Sequence, residues 1–285
     1  MRIDHYENFP VASWLCPPAL RPAVRAIYAY ARTADDLADE GSDSSPSRLA
    51  ALADYRSDLQ RVLAGKSPSP RWVDIFQPLA RAIAEFRLPG DLLQALLGAF
   101  EQDVVKQDYA DRADLIDYCR RSANPVGRLM LHLFGISDAA SRLRSDAICS
   151  ALQLINFWQD LRIDSARGRI YLPRSDYRRH GVTRERLLAG VDDSNLRAAV
   201  AEACRWAGSL LHEGTPLVHA INGRAGWELR VVVQGGQRIL EKIAALGYAT
   251  MSVRPTIVWS DAPPLLWRAA HMRRQLGAPL ARDAR

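Results

Sequence analysis

The chain has 285 residues, 48% of them hydrophobic and 25% charged, with a formal net charge of +6. That length and apolar content suffice for a sizeable core in one domain or two small ones, and the ordinary charge content excludes a disordered or fibrous chain. No run of about 18 apolar residues occurs, so no spanning helix is expected, and Asp4 and Glu7 with no apolar stretch behind them argue against a secretory leader. Cys16, Cys119, Cys149 and Cys204 lie far apart without a CxxC pair, which predicts a reduced, cytoplasmic chain without structural zinc. Lysine occurs only at Lys66, Lys106 and Lys242; the rest of the 38 basic residues are arginine. Arginine clamps diphosphate, but it also stacks on bases and pairs with anionic lipid. The basic positions are scattered, so nucleic-acid binding has no specific support.

Pro17, Pro18 and Pro22 precede a first helix expected over about 19–40, stopping at Gly41. Ser45-Pro46 reads as the cap and first residue of a second, carried by Leu49, Leu52, Tyr55, Leu59 and Val62 to Gly65. A third runs through Ile75, Leu79, Ile83 and Phe86 to Pro89, and a fourth is marked by Leu92, Leu93, Leu96, Leu97, Phe100 and Val104. A fifth begins near Asp114, with a kink or break predicted at Pro125. A central helix is expected from about Asp138 to Asp164, then an Arg/Gly-rich loop over 165–173 and irregular pieces to Asp192. Two more long helices are expected at about 193–219 and 226–247, the second with Gly235-Gly236 as a candidate close contact. With no internal repeat and no period-2 strand, the class is all-α: a single-domain helical bundle over 1–255 with its site between facing helices, and a basic, Trp-containing tail over 256–285.

Two stripes on these helices carry chemistry. In the central helix Gln153, Asn156, Asp160 and Asp164 are spaced by three, four and four residues, which puts two amides and two carboxylates on one face. In the first helix Tyr28, Arg32, Asp35 and Asp39 repeat the design, with spacings of four, three and four. Either stripe alone is equally the solvated face of a surface helix. As a pair on otherwise apolar helices they suggest one cavity for hard cations and an anion. Carboxylates without nearby Cys or His suit Mg²⁺, with Mn²⁺ as a substitute, held jointly with substrate phosphates. Asp36 and Glu40 fall off the stripe, towards solvent or neighbouring basic groups.

At these residues the sequence resembles the squalene/phytoene synthase family, which joins two prenyl diphosphates head to head and carries a DxxxD on each of two facing helices. Asp35–Asp39 and Asp160–Asp164 match that pair, and the similarity runs from HYENFPVASWLCP (His5 to Pro17) through YCRRSANPVG (Tyr118 to Gly127) to RILEKIAALGYATMSVRP (Arg238 to Pro255). The resemblance implies an isoprenoid-synthase bundle with a central cavity and Asp35, Asp39, Asp160 and Asp164 as metal ligands, aided by Asn156 and Gln153. Arg32 matches a diphosphate clamp, and Arg169 and Tyr171 match a phosphate-binding flap freed by Gly168, with Arg167 left in solvent. His5, Asn8, Tyr28 and Arg254 match substrate-binding positions. Tyr118 matches a tyrosine kept near the reacting carbons, where a phenol stabilises a carbocation or orients the leaving group.

Just after Tyr118 the sequence departs from the commoner family pattern of small apolar residues, reading Ser122-Ala123-Asn124-Pro125. Ser122 and Asn124 either hold a water beside the cation or cap backbone groups freed by Pro125. Phe134, Phe157 and Leu161 are candidates for the apolar tunnel. The wording NFPVAS, ARTADDLADEG, SANPVGRLMLHLFG and NFWQDLRID is most similar to the branch acting in bacterial hopanoid pathways. That implies ionisation of presqualene diphosphate and capture by water to give hydroxysqualene, without NADPH. Condensation of farnesyl diphosphate, a phytoene-like product, and a catalytically silent scaffold relative remain as alternatives. Expected partners are the prenyl diphosphate, neighbouring squalene-pathway enzymes and the inner membrane face, touched peripherally through Trp259, Leu265, Leu266, Trp267 and nearby arginines.

Overall fold

A computed structural model describes residues 16–41 and 43–272. Within them the apolar periodicities become helices α1 (Arg21–Asp39), α2 (Ser45–Leu63), α3 (Val73–Phe86), α4 (Gly90–Val105) and α5 (Arg112–Ser122). They continue as α6 (Asn124–Leu133), α7 (Ala139–Gln159), α8 (Leu161–Ala166), α9 (Arg174–Arg179) and α10 (Arg184–Leu188). The last are α11 (Ser194–Gly214), α12 (Leu217–Ala220), α13 (Gly223–Ala245) and α14 (Ala262–Ala270). Side chains set several starts: the Ser44, Asp111, Asp138 and Asp193 oxygens accept from the amides of Ser47, Asp114, Ser141 and Leu196. The cap of α2 is therefore Ser44, one residue before the expected Ser45.

The fold is all-α, as the sequence predicts. Among the described residues the only extended pairing is an isolated parallel bridge between Asp108 and Ile170. Three expected helices are interrupted. The chain breaks at Ala123, where Pro125 cannot donate to the preceding turn. The long helix predicted over 193–219 splits at Pro216 into α11 and α12. The central helix also ends sooner than expected, at Gln159, with Asp160 as the joint to α8. The winding nearly carries through that joint, because the Asp164 amide still donates to the Asp160 carbonyl at 3.0 Å.

Two apolar clusters fill the interior. One is built by α1–α4 and closed by Leu129 and Leu133 of α6. Within it Tyr30 donates to the Leu93 carbonyl and Tyr55 to the Tyr30 carbonyl, so both buried phenols are satisfied. The other surrounds α7, whose stretch from Ile148 to Gln159 is almost wholly buried by α5, α6, α11, α12 and α13. A helix covered on all sides needs close neighbours, and small residues permit them. A Cβ at Gly236 of α13 would lie 2.7 Å from Leu152 Cδ2, so this glycine marks a close contact on α7, while at Gly235 the nearest atom is 3.7 Å away.

The segment set apart in the sequence as the start of a tail, from Thr256 to Met272, returns onto α13. Asp261 is buried and bonds both Arg238 and Lys242, and Arg268 of α14 pairs with Glu241. Residues 273–285 lie outside the described residues.

The end of α11 comes up against the backbone of α7 itself. A Cβ at Gly214 would sit 2.6 Å from the Arg144 carbonyl oxygen and 2.9 Å from the Ile148 nitrogen, both backbone atoms that cannot step aside. Gly214→Ala should therefore destabilise the protein by about 1–3 kcal/mol in denaturant unfolding. Gly208→Ala on the same helix, where the nearest atom is 3.6 Å away, should be neutral or stabilising. Equal effects of the two substitutions would contradict this packing.

Candidate active site

The first stripe lies on α1. Arg32 reaches Asp35 at 3.2 Å, Asp36 at 2.6 Å and Glu40 at 3.0 Å, so Asp36 and Glu40 turn towards this arginine. The second stripe crosses the joint of α7 and α8, with Gln153 and Asn156 half-buried on α7, Asp160 at the joint and Asp164 in α8. The strap after α8 spans the two stripes. Arg169 grips Asp39 with both guanidinium arms, at 2.8 and 2.6 Å, while its own amide donates to the Asp164 carbonyl at 2.9 Å. Gly168 permits this turn with φ of +81°. Arg167 is mostly exposed and only approaches Asp39, at 3.8 Å.

The strap is tied down along its length. The Ile170 amide donates to the Gln107 carbonyl at 2.8 Å and the Arg174 amide to Tyr109 at 2.9 Å, while Ile170, Tyr171 and Leu172 are all buried. Arg254 closes the other side by pairing with both oxygens of Asp160. It is placed by Gln159, a fully buried amide that donates to the Pro255 carbonyl at 2.7 Å.

Crowded carboxylates dominate the electrostatics. Burial, then the neighbouring Asp39, pushes the Asp35 carboxyl up to about 6. Burial, then Asp160, pushes Asp164 up to about 7, with Arg169 pulling the other way. An all-oxygen set whose like charges repel is the donor chemistry that a hard divalent cation relieves, so the residues fit Mg²⁺. Among the described residues no group of three or more His, Cys, Asp or Glu is placed to hold an ion by itself.

Beside the carboxylates lies an aromatic cluster drawn from separate elements. Tyr171 stacks on Phe157 at 3.7 Å between centroids, and Tyr118 lies 6.1 Å from Tyr171, 6.2 Å from Phe157 and 5.4 Å from Tyr109. Tyr118 is buried and donates to Asp103 of α4 at 2.7 Å. Asp103 and Tyr109 are both absent from the sequence-level candidates. For Asp103 the signal was there: Leu96, Ala99 and Asp103 continue the buried face of α4 at spacings of three and four, which puts a lone carboxylate on an apolar stripe.

An apolar cavity of about 310 Å³ is bordered by α1, α6, α7, α12 and α13 and lined by Ile27, Tyr28, Phe134, Ile148, Leu229 and Val232 among others. Tyr28, which lines it, lies one helical turn before Arg32 on α1. Of the tunnel candidates only Phe134 lines the cavity; Phe157 joins the aromatic cluster and Leu161 is buried in the core around α7. A wider surface depression of about 640 Å³, lined by α2 and α3, contains none of these site residues. Ser122 and Asn124 do not cap α6: Asn124 accepts a 2.9 Å bond from Ser150, and the buried Ser122 hydroxyl has no partner. His5 and Asn8 lie outside the described residues.

The structure is thus an all-α bundle in which carboxylates and arginines of α1, the α7–α8 joint, the strap and the turn after α13 pair with one another, with an apolar cavity against α1 and α7. Residues 4–262 match the squalene/phytoene synthase family, and the chain belongs to it. It is 38% identical over 243 residues to the hydroxysqualene synthase of Rhodopseudomonas palustris, covering 83% of this chain and 79% of that one. The hydroxysqualene synthase of Zymomonas mobilis is also 38% identical, over 240 residues, with coverage of 83% and 77%. Among solved structures, the squalene synthase HpnC of Alicyclobacillus acidocaldarius aligns with a TM-score of 0.78 at 39% identity, over 86% of this chain and 90% of that one.

Proposed function

We propose that the protein is a hydroxysqualene synthase of squalene and hopanoid biosynthesis. The carbon–oxygen bond of presqualene diphosphate breaks and its electron pair leaves with the diphosphate. The cyclopropylcarbinyl cation rearranges, and water adds to it and gives up a proton, yielding hydroxysqualene without NADPH. The hydroxysqualene synthases at 38% identity support this reading. The structural observation that supports it is an apolar cavity lined by Tyr28, one helical turn before Arg32 of the carboxylate–arginine end on α1, an order that suits a charged head on a long hydrocarbon.

Each residue then has a physical task. Arg32, Arg169 and Arg254 now pair with Asp35, Asp39 and Asp160, and are the cations available to a diphosphate. The cavity keeps bulk water from the hydrocarbon. The faces of Tyr118, Phe157 and Tyr171 offer negative quadrupoles to a nearby cation. Asp35, Asp39, Asp160 and Asp164, with Asn156 and Gln153 assisting, would hold Mg²⁺ or Mn²⁺, which supplies Lewis-acid neutralisation of the departing diphosphate. Ser122, with its free buried hydroxyl, is better placed than Asn124 to hold the capturing water.

The reaction is tested with presqualene diphosphate and Mg²⁺ in ¹⁸O-water. Labelled hydroxysqualene should form without NADPH, and each of Asp35→Ala, Asp39→Ala, Asp160→Ala and Asp164→Ala should lose about a hundredfold or more in turnover. Accumulation of presqualene diphosphate from farnesyl diphosphate, with no consumption of it, would replace this reading by the condensing one. Near-wild-type turnover in any of the four folded variants would remove that residue from the metal set.

Substrate and product of this kind partition into lipid, and we place the protein peripherally on the inner membrane face. No helix among the described residues is long and apolar enough to cross a membrane. Trp259, Trp267, Leu266 and Val258 are exposed, Trp259 by 93%, with the half-buried Arg268 beside them, whereas Leu265 faces inward. Apolar and basic side chains together suit an anionic bilayer surface. Replacing both Trp259 and Trp267 by serine should abolish flotation with anionic vesicles and leave turnover in detergent intact. Undiminished flotation would rule this surface out.

A further inference from the structure

Asp103 is poorly accounted for by stability alone. One of its oxygens accepts from Tyr118, and the other, Oδ1, is buried with no hydrogen-bond partner. Its charged surroundings are Arg169, which favours its ionised form, and Asp39 and Asp35, which oppose it. Burying a half-satisfied carboxylate beside two others costs folding free energy. If the only need were an acceptor for the Tyr118 hydroxyl, an asparagine carbonyl would serve without a buried charge. Residues that break such rules mark function more often than structure.

The bond has a chemical consequence. A phenol has one proton to donate, and at Tyr118 that proton points at Asp103, so the oxygen has only lone pairs left for other groups. A carboxylate at the far end of the O–H bond also makes that oxygen more electron-rich. We infer that Asp103 is a positioning residue, which holds Tyr118 by its proton so that the phenol oxygen faces the developing carbocation as an acceptor and never as an acid. This rests on the carbocation reading above. The role needs the charge of Asp103 and acts through Tyr118. Burial, which raises Asp103 to about 7, shows the same crowding but is not needed for the argument.

The test is a double-mutant cycle of Asp103→Asn and Tyr118→Phe, read as diphosphate release from presqualene diphosphate together with the product ratio. Asp103→Asn keeps the shape and an acceptor, so its melting temperature should equal or exceed that of the wild type. Its kcat should fall about tenfold or more with KM little changed, and elimination products should rise against the alcohol. In the Tyr118→Phe background the same change should have little further effect. A full-sized effect of Asp103→Asn without the phenol would overturn the inference, as would wild-type kcat and product ratio in Asp103→Asn. Should the wild type release diphosphate yet make no hydroxysqualene, the parent reading fails, and the coupling in diphosphate release still decides the role of Asp103.

Discussion

Crowding of negative charge in a partly buried site is the condition on which the rest of this structure depends. Asp35 and Asp39 on α1, Asp103 on α4, and Asp160 and Asp164 around the α7–α8 joint raise one another's energy, and burial strips away the water that would screen them. Three arginines offset the repulsion, one from α1, one from the strap and one from the turn after α13. An arginine paired to a carboxylate is also a cation that can be lent to a phosphate. On the function proposed above, the side chains that hold these charges together are also the ones a diphosphate would use.

Holding those charges in place falls to a rigid interior. Helix α7 is buried on nearly every side; Gly214 lets α11 approach its backbone, and Gly127 and Gly236 leave room for its side chains under α6 and α13. Its C-terminal end therefore emerges from the core at a fixed place, carrying Asn156 and Asp160 with it. Gln159, buried at that end, reaches Pro255 and so sets Arg254 opposite Asp160. Helix α1 does the matching work from the other cluster, with Tyr30 and Tyr55 locking its buried face. The strap is then fastened to the segment after α4 by backbone bonds, which brings Arg169, Tyr171 and Tyr109 to the same spot.

How much of this was legible in the sequence follows from the range of each interaction. Both stripes were legible, because helical spacing alone decides which side chains share a face. The break at Pro125 was legible for a local reason too, the missing proline amide. The end of α7 at Gln159 was not, since nothing in the residues around Asp160 forbids a longer helix and the Gln159–Pro255 contact spans 96 positions. Tyr109 escaped notice because its importance lies in a partner 9 residues away on another helix, Tyr118, and Asp103, though visible as a carboxylate on an apolar stripe, gains its meaning from the same tyrosine 15 residues on. Asn124 and Ser122 looked alike as polar intruders, and only packing separates them, since Ser150 satisfies one and nothing satisfies the other. The residues expected at a membrane show the same limit, with Leu265 and Leu266 adjacent in sequence and opposite in exposure.

The central claim is that the two stripes form one cation site completed by the diphosphate of the substrate. Its most direct test is calorimetric titration of Mg²⁺ into the protein with and without an unreactive prenyl thiodiphosphate. The account predicts weak binding of Mg²⁺ alone, and binding at least about tenfold tighter when the analogue is present. It also predicts loss of that enhancement in both Asp35→Ala and Asp164→Ala, one from each stripe. Enhancement that survives either substitution, or Mg²⁺ affinity that ignores the analogue, would contradict it.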